Sequence, residues 1–386
     1  MNVSLATSCR WRDATLQDLV FFQRGYDITK AQQHSGNIPV ISSSGITSFH
    51  NEAKAQGPGV VIGRKGTLGS VHYSAQDYWP HDTTLWSRDL RGNIPRFVYY
   101  FLHTIDFKRF DVGNSNPTLN RNHIHALPIK VPPLDVQESI ASILCAYDDL
   151  IENNRRRMAL LEEAARQLYR EWFVRLRFPG HEHTRIIDGL PEGWERKSFN
   201  EVCQTVGGGT PSTTKSEYWD DGDIIWVTPT DITRNPCLAL LDSEKKITEA
   251  GLKHSSAKML PPNTIMMTSR ASVGFFGLID KAACTNQGFI SVVPNEPFSQ
   301  MYLLHNLMHR VDEIRSHAGG ATYKEISKSK FKALPVVMPS LSLLRDFGEQ
   351  TAELLRQIRT LHTMNVRLNQ ARDILLPRLM SGEIAV

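Results

Sequence analysis

Two long stretches of this chain repeat apolar residues at helical spacing. From about Asp135 to Arg175 there is no proline or glycine, and Ile140, Leu144, Tyr147, Ile151, Met158, Leu161, Leu168 and Trp172 recur in steps of three and four or their sum. Near the C-terminus Phe347, Leu354, Ile358, Leu361, Leu368 and Leu375 do the same. A narrow apolar stripe on long, otherwise polar helices predicts a coiled-coil-like pair. The second helix is expected to fray or kink at Pro377, which has no N–H to give to the preceding turn. Ahead of each helix the period shortens, and runs such as Val60-Val61-Ile62 and Ile290-Ser291-Val292-Val293 lie between Gly-rich turns. These predict strand-rich, mixed domains. The expected fold class is α+β: two pseudo-symmetric mixed α/β domains separated by an antiparallel pair of long helices.

The chain also repeats itself. Ala126-Leu127-Pro128 returns as Ala333-Leu334-Pro335, an offset of 207 from 126 to 333. Pro132 and Pro339, Leu134 and Leu341, Ile151 and Ile358, and Leu161, Ala164 and Leu168 with Leu368, Ala371 and Leu375 keep it. Upstream, Lys65-Gly66-Thr67-Leu68-Gly69 resembles Arg270-Ala271-Ser272-Val273-Gly274 at an offset of 205, and Trp11 resembles Trp194 at 183. The drifting offset implies loop insertions in a duplicated domain. The expected divisions are residues 1–133 and 194–340 for the two domains, 134–177 and 341–386 for the helices with the tail, and 178–193 for a linker. An antiparallel pairing whose residue numbers sum to 519 satisfies both the repeat and the stripe. It faces Trp172 with Phe347, Leu161 with Ile358 and Asn154 with Asn365; registers seven residues to either side compete with it.

A length of 386 residues, 41% of them hydrophobic, allows each half its own core. The formal charge of +4 and pI near 8.7 permit a polyanionic partner without demanding one, so positive charge must act locally. Five cysteines without paired spacing suggest neither a disulfide framework nor a zinc module. The stretch Met1 to Arg12 lacks the apolar core of a signal peptide, and no run reaches the roughly 20 apolar residues of a membrane helix. A cytoplasmic protein without membrane contact is expected.

Several chemistries are absent from the pattern. A methyltransferase would need a glycine-rich cofactor loop and an Asn/Asp-Pro-Pro-aromatic run, and neither is found. Gly63-Arg64-Lys65-Gly66-Thr67 lacks the spacing of a phosphate-binding loop. Asp242-Ser243-Glu244-Lys245 offers the carboxylate-x-carboxylate-lysine order of metal nucleases but also reads as a charged turn. His181-Glu182-His183 lacks further ligands. No catalytic residue, cofactor or metal is therefore assigned. Arg155-Arg156-Arg157 reads as a solvated helix face or as a phosphate contact.

What remains is a set of polar and cationic loops suited to groove reading, which needs forked donors, amides and hydroxyls near base edges and phosphates. In the first half the candidates are Ser43, Ser44, Arg64, Lys65, Thr67, Asn116, Thr118, Asn120 and Arg121; in the second they are Gly209, Thr210, Thr228, Thr230, Arg270, Ser272, Asn286, Thr322, Tyr323 and Lys324. Arg64 and Arg270 stand in equivalent loops and lead the set.

At these residues the chain resembles the specificity subunits of type I restriction-modification enzymes, across about residues 10 to 383. The run NPTLNRNHIHALPIKVPPLDVQE from Asn116 to Glu138 resembles that family's passage from a recognition domain into a helix. Gly208-Gly209-Thr210-Pro211-Ser212-Thr213 with Tyr218-Trp219 and Trp226-Val227-Thr228 resembles a domain opening, and Leu375-Leu376-Pro377-Arg378-Leu379-Met380-Ser381-Gly382-Glu383-Ile384 its ending. The resemblance implies two inverted target-recognition domains reading a bipartite double-stranded DNA target, with helices that set the spacer. It implies partners that do the chemistry: two methyltransferase subunits using S-adenosylmethionine to methylate adenine, and restriction subunits using ATP and Mg to translocate and cleave. Service to a fused methyltransferase-nuclease is the alternative; a stand-alone nuclease and a scaffold or sugar-binding protein are the remaining ones.

Overall fold

A Thr15–Asp18 capping box opens the short helix Leu16–Leu19, and a Ser198–Glu201 box opens its counterpart Phe199–Val202 at the same offset of 183 that relates Trp11 to Trp194. The computed structural model describes residues 11–111, 118–320 and 324–386. It divides into two compact units, one running to Ile151 and including Leu368–Val386, the other spanning Glu152–Arg367. The C-terminal tail thus belongs with the first domain, whose core takes in Leu379 and Met380.

The duplication holds strand by strand. The first unit has a four-stranded sheet in the order Phe21–Arg24, Thr84–Asp89, Gly59–Gly63, Val71–Ser74; the second has Cys203–Val206, Phe289–Pro294, Ile265–Thr268, Phe276–Gly277. A three-stranded sheet follows in each, Gly45–His50, Ile38–Ser42, Trp79–Pro80 and Lys245–Ile247, Ile224–Val227, Cys284–Thr285, whose last two strands run parallel. Arg12–Thr15 pairs with Pro128–Val131, and Glu195–Ser198 with Pro335–Met338, closing each domain next to its long helix. Gly59–Gly63 and Ile265–Thr268 are buried at every position, which suits central strands covered on both faces.

The long helices are Leu134–Tyr169 and Leu341–Met380. Within the second unit Asn154 Nδ2 donates to Asn365 Oδ1 at 2.9 Å, both side chains buried, and the rings of Trp172 and Phe347 lie 5.9 Å apart. Leu161 and Ile358 share that unit's core. This is the antiparallel register summing to 519. Within the first unit Arg372 and Asp148 form an ion pair between the same helices, and Asp148 also accepts from the Tyr100 hydroxyl at 2.6 Å.

Three details depart from the sequence expectation. The second helix does not end at Pro377 but continues to Met380, because Leu379 and Met380 are packed in the first unit's core and hold the last turn. Leu355 is buried where Leu354 was expected and Leu354 is only half-buried, because this helix also covers a sheet-bearing domain and needs a stripe wider than a two-helix seam. The segment after the first helix is no bare linker: a π-helical turn Arg170–Val174 carries Trp172 and Phe173 inward, Phe178 is buried, and Ile186–Ile187 pairs with Leu190–Pro191. Arg155, Arg156 and Arg157 are exposed, as a solvated face requires. No described helix is long and apolar enough to cross a membrane.

Candidate nucleic-acid interface

In each unit the candidate loops are drawn together by backbone hydrogen bonds around the end of one short parallel strand pair. In the first unit, Tyr26 N–H donates to Pro80 O at 2.8 Å and His81 N–H to Ile41 O at 2.9 Å. Thr83 O then accepts from the amides of Arg64 and Lys65 at 2.8 and 3.0 Å, and Thr83 Oγ1 accepts from Ser43 N–H at 3.3 Å. Leu119 N–H closes the set on Arg64 O at 2.9 Å, which carries Thr118 with it.

The second unit repeats four of these bonds with other residues. Gly209 N–H donates to Thr285 O at 2.9 Å, Asn286 N–H to Val227 O at 3.0 Å, Ser269 N–H to Gly288 O at 2.8 Å, and Ile326 N–H to Ser269 O at 3.1 Å. Ala271 N–H donates to Lys324 O at 2.9 Å. Position by position, Arg64 therefore corresponds to Ser269, and the partner of Arg270 is Lys65, each forming an antiparallel bridge, Lys65 with Thr118 and Arg270 with Glu325. Arg64 and Arg270 share equivalent loops but not equivalent positions.

The side chains divide into scaffold and rim. Asn120 caps the helix Arg121–His125 by accepting from Asn122 N–H at 3.0 Å, and Thr228 closes a capping box with Asp231. Gly209 is buried: its carbonyl accepts from Trp226 Nε1 at 2.9 Å, and a Cβ there would lie 2.1 Å from Ser256 Oγ. Ser43 is buried, its carbonyl holding His72 Nε2 at 3.2 Å. Thr67 O holds the Ser70 hydroxyl at 3.0 Å, and Ser272 O that of Thr268. On the exposed rim are the side chains of Ser44, Lys65, Thr67, Arg121, Thr210, Thr230, Arg270, Ser272 and Lys324. Thr210 Oγ1 lies 2.6 Å from Gln287 Oε1, and Arg270 Nε lies 3.8 Å from Glu325 Oε2. Asn116, Thr322 and Tyr323 lie outside the described residues.

Arg64 is the least settled group. Burial, and then the nearby Arg24 guanidinium, pull its pKa below the usual arginine value against the opposing pull of Asp82. Its Nη1 is buried with no acceptor among the described residues. An unsatisfied, charged donor in a loop is costly unless something supplies an acceptor.

Sequence reasoning missed the residues around it. Asp82 pairs with Arg24 at 3.0 Å and meets His81 Nδ1 at 3.1 Å, and Asp27 joins them, the three ligand-type atoms lying within 4.8 Å of one another. Arg24 already balances Asp82, so the group is a mixed charge patch. The signal was available: the offset of 205 carried on past Gly69 lands Asn286 on His81 and Gln287 on Asp82. Asp242 and Glu244, the nuclease-like pair, are exposed; Asp242 pairs with Lys246 at 3.1 Å, and the pair joins no three-ligand group among the described residues.

Comparison with known proteins gives the arrangement a family. A model described as "Type I restriction modification DNA specificity domain" matches residues 10–163 and 191–370, one match in each half. The chain is 22% identical over 359 residues to the type I restriction enzyme HindI specificity subunit of Haemophilus influenzae, covering 75% of this chain and 78% of that one. It is 26% identical over 268 residues to the EcoR124I/EcoR124II specificity subunit of Escherichia coli, covering 66% and 62%. It is 30% identical over 171 residues to the MjaIX specificity subunit of Methanocaldococcus jannaschii, covering 44% and 39%. The chain thus spans less than two thirds of the last two relatives. The fold is that of the type I restriction-modification S subunit from M. genitalium, with a TM-score of 0.61 at 16% identity over 98% of both chains. With the model matched in both halves and the duplicated fold shared, the chain belongs to the type I restriction modification DNA specificity domain family.

Proposed function

We propose that each unit reads one half of a bipartite double-stranded DNA target, and that the chain itself is not catalytic. The observation that carries this reading is the repeated rim. The same backbone bonds gather hydroxyls, amides and cations at the same strand ends in both units, with Lys65 and Arg270 at matching positions. Such a rim offers base-edge donors flanked by phosphate-directed cations. Two methyltransferase subunits would dock on the paired helices and supply S-adenosylmethionine chemistry, and restriction subunits using ATP and Mg would join through them. The helices would fix the spacer between the half-sites.

The test is to co-express the chain with its methyltransferase partner and map methylated adenines across a genome. A target of two unlike, short half-sites with a fixed spacer is the expected result. Methylation that ignores the presence of this chain, or a single continuous target, overturns the reading. Metal-dependent cleavage by the purified chain, lost in Glu244→Ala, would instead make it a nuclease.

A further inference from the structure

We infer that His81 and Asn286 are the matched specificity-determining donors of the two rims, one for each half-site. The inference rests on the proposed DNA reading and deepens it to single residues.

The two residues occupy one backbone position. Each follows the short strand that runs parallel to its partner, Trp79–Pro80 or Cys284–Thr285, and each donates its amide to the end of that partner, Ile41 O or Val227 O. Each side chain then folds over the residue two places on. His81 Nδ1 accepts from Thr83 N–H at 3.3 Å and lies 3.0 Å from Thr83 Oγ1; Asn286 Oδ1 accepts from Gly288 N–H at 2.9 Å. The acceptor end of each side chain is thereby spent on the scaffold.

What is left over is a donor. In the tautomer whose Nδ1 accepts from the Thr83 amide, with Asp82 Oδ1 3.1 Å from the same nitrogen, His81 carries a proton on Nε2, and Asn286 keeps both protons of Nδ2. Neither nitrogen has a partner among the described residues, and neither is sealed from solvent. The ring and the amide are held rigidly by the turn, so little rotamer freedom remains to be lost on binding. A fixed N–H donor between loops that carry cations suits the acceptors of a base edge, such as purine N7, guanine O6 or thymine O4.

The surroundings make the two donors read differently. His81 sits beside Asp82, itself held by Arg24, whereas the residues at the matching places in the second rim, Gln287 and Thr210, are uncharged and bonded to each other. The first rim donates through His81 and accepts through its carboxylates; the second presents amides and hydroxyls.

The experiment is methylation mapping with the full chain and its methyltransferase partner, for wild type, His81→Ala, His81→Asn and Asn286→Ala, with thermal melting of each complex alongside. His81→Ala should reduce discrimination against single-base changes roughly tenfold in one half-site and leave the other unchanged. Asn286→Ala should do the same to the other half-site. His81→Asn rebuilds the Asn286 geometry, acceptor to the Thr83 amide and donor outward, and should restore discrimination. Loss of all methylation in His81→Ala with rescue by His81→Asn also supports the inference. Three results overturn it: both alanine variants keeping wild-type discrimination, one variant relaxing both half-sites, or equal loss in His81→Ala and His81→Asn with a lowered melting point. If the wild-type chain itself directs no methylation, the DNA reading falls first and the inference with it.

Discussion

Where the first unit sets Asp27, His81 and Asp82 at its rim, the second sets Thr210, Asn286 and Gln287 at the same backbone positions. The amides and carbonyls that hold those positions are bonded alike in both, from Tyr26 and Gly209 at one side to Leu119 and Ile326 at the other. A skeleton built from backbone groups does not depend on the side chains it displays. The first rim can therefore carry charge at these three positions, and the second none, without any change of fold.

The strongest way to break this comparison is to strike the skeleton itself. A Cβ on Gly25 would lie 2.1 Å from His81 O, and one on Gly208 would lie 2.0 Å from Thr285 O. Both neighbours are backbone and cannot step aside. Gly25→Ala and Gly208→Ala should each cost about 3 kcal/mol in denaturant unfolding, whereas Gly319→Ala, which would meet nothing within 4 Å among the described residues, should be close to neutral. If only one of the two glycines proves costly, the node is not shared.

A difference of similar size lies in a matched pair of helices. Tyr100 and His305 occupy matching places on the helices Pro95–His103 and Gln300–His309. Tyr100 gives its hydroxyl to Asp148, while His305 is buried, bonded through Nδ1 to Met301 O at 2.8 Å, with Nε2 lacking a partner among the described residues. Burial lowers the His305 pKa to about 4 from 6.5. In this window the unfolded chain takes up a proton that the folded chain refuses. The contribution is thus complete above pH 6.5 and is lost as pH falls toward 4, by up to about 3 kcal/mol. His305→Phe should flatten that part of the pH–stability curve relative to wild type; an unchanged slope between pH 6.5 and 4 would refute the assignment.

The helix seam supplies a smaller effect. Asn154→Ala leaves the buried Asn365 amide without its partner across the seam and should destabilise by about 2 kcal/mol, while Asn154→Leu with Asn365→Leu removes both amides and should recover most of that loss. Urea titrations of the two variants separate these outcomes, and equal loss in both would mean that the pair contributes no more than its volume.

The smallest effects belong to the exposed cations. Lys65→Ala and Arg270→Ala, at matched positions, should each weaken DNA binding by about 1 kcal/mol and lower the salt slope by about one unit if they touch phosphate. Arg64→Ala, whose counterpart is Ser269, should act on one half-site alone, which methylation mapping resolves. Identical behaviour of Arg64→Ala and Arg270→Ala would restore the pairing that the sequence suggested.

The seam was readable before any coordinates because its determinants are local. A helix places every third or fourth residue on one face whatever surrounds it, so the stripe and the repeat narrowed the pairing to the sum of 519 and its neighbours seven residues away, and the Asn154–Asn365 bond selects 519. The strand-rich domains and their duplication were legible for the same reason, through short apolar runs and the recurring Ala-Leu-Pro. The end of the second helix was not, since Pro377 argues for a break and only the packing of Leu379 and Met380 overrides it.

The rim is where the sequence by itself falls short. Residue type singled out Arg64, Lys65, Arg270 and Asn286 as candidates. Which position matches which was decided by sheet order, through bonds such as His81 to Ile41 and Asn286 to Val227 that join strands far apart in the chain. The offset between the halves drifts from 183 through 205 to 207 as loops lengthen, so the shift of 205 that matches His81 with Asn286 does not also match Asp27 with Thr210, which keep 183. Helical periodicity is written residue by residue along the chain, whereas the meeting of strand ends is fixed only when the sheets close, and that closure set the chemistry of the two rims.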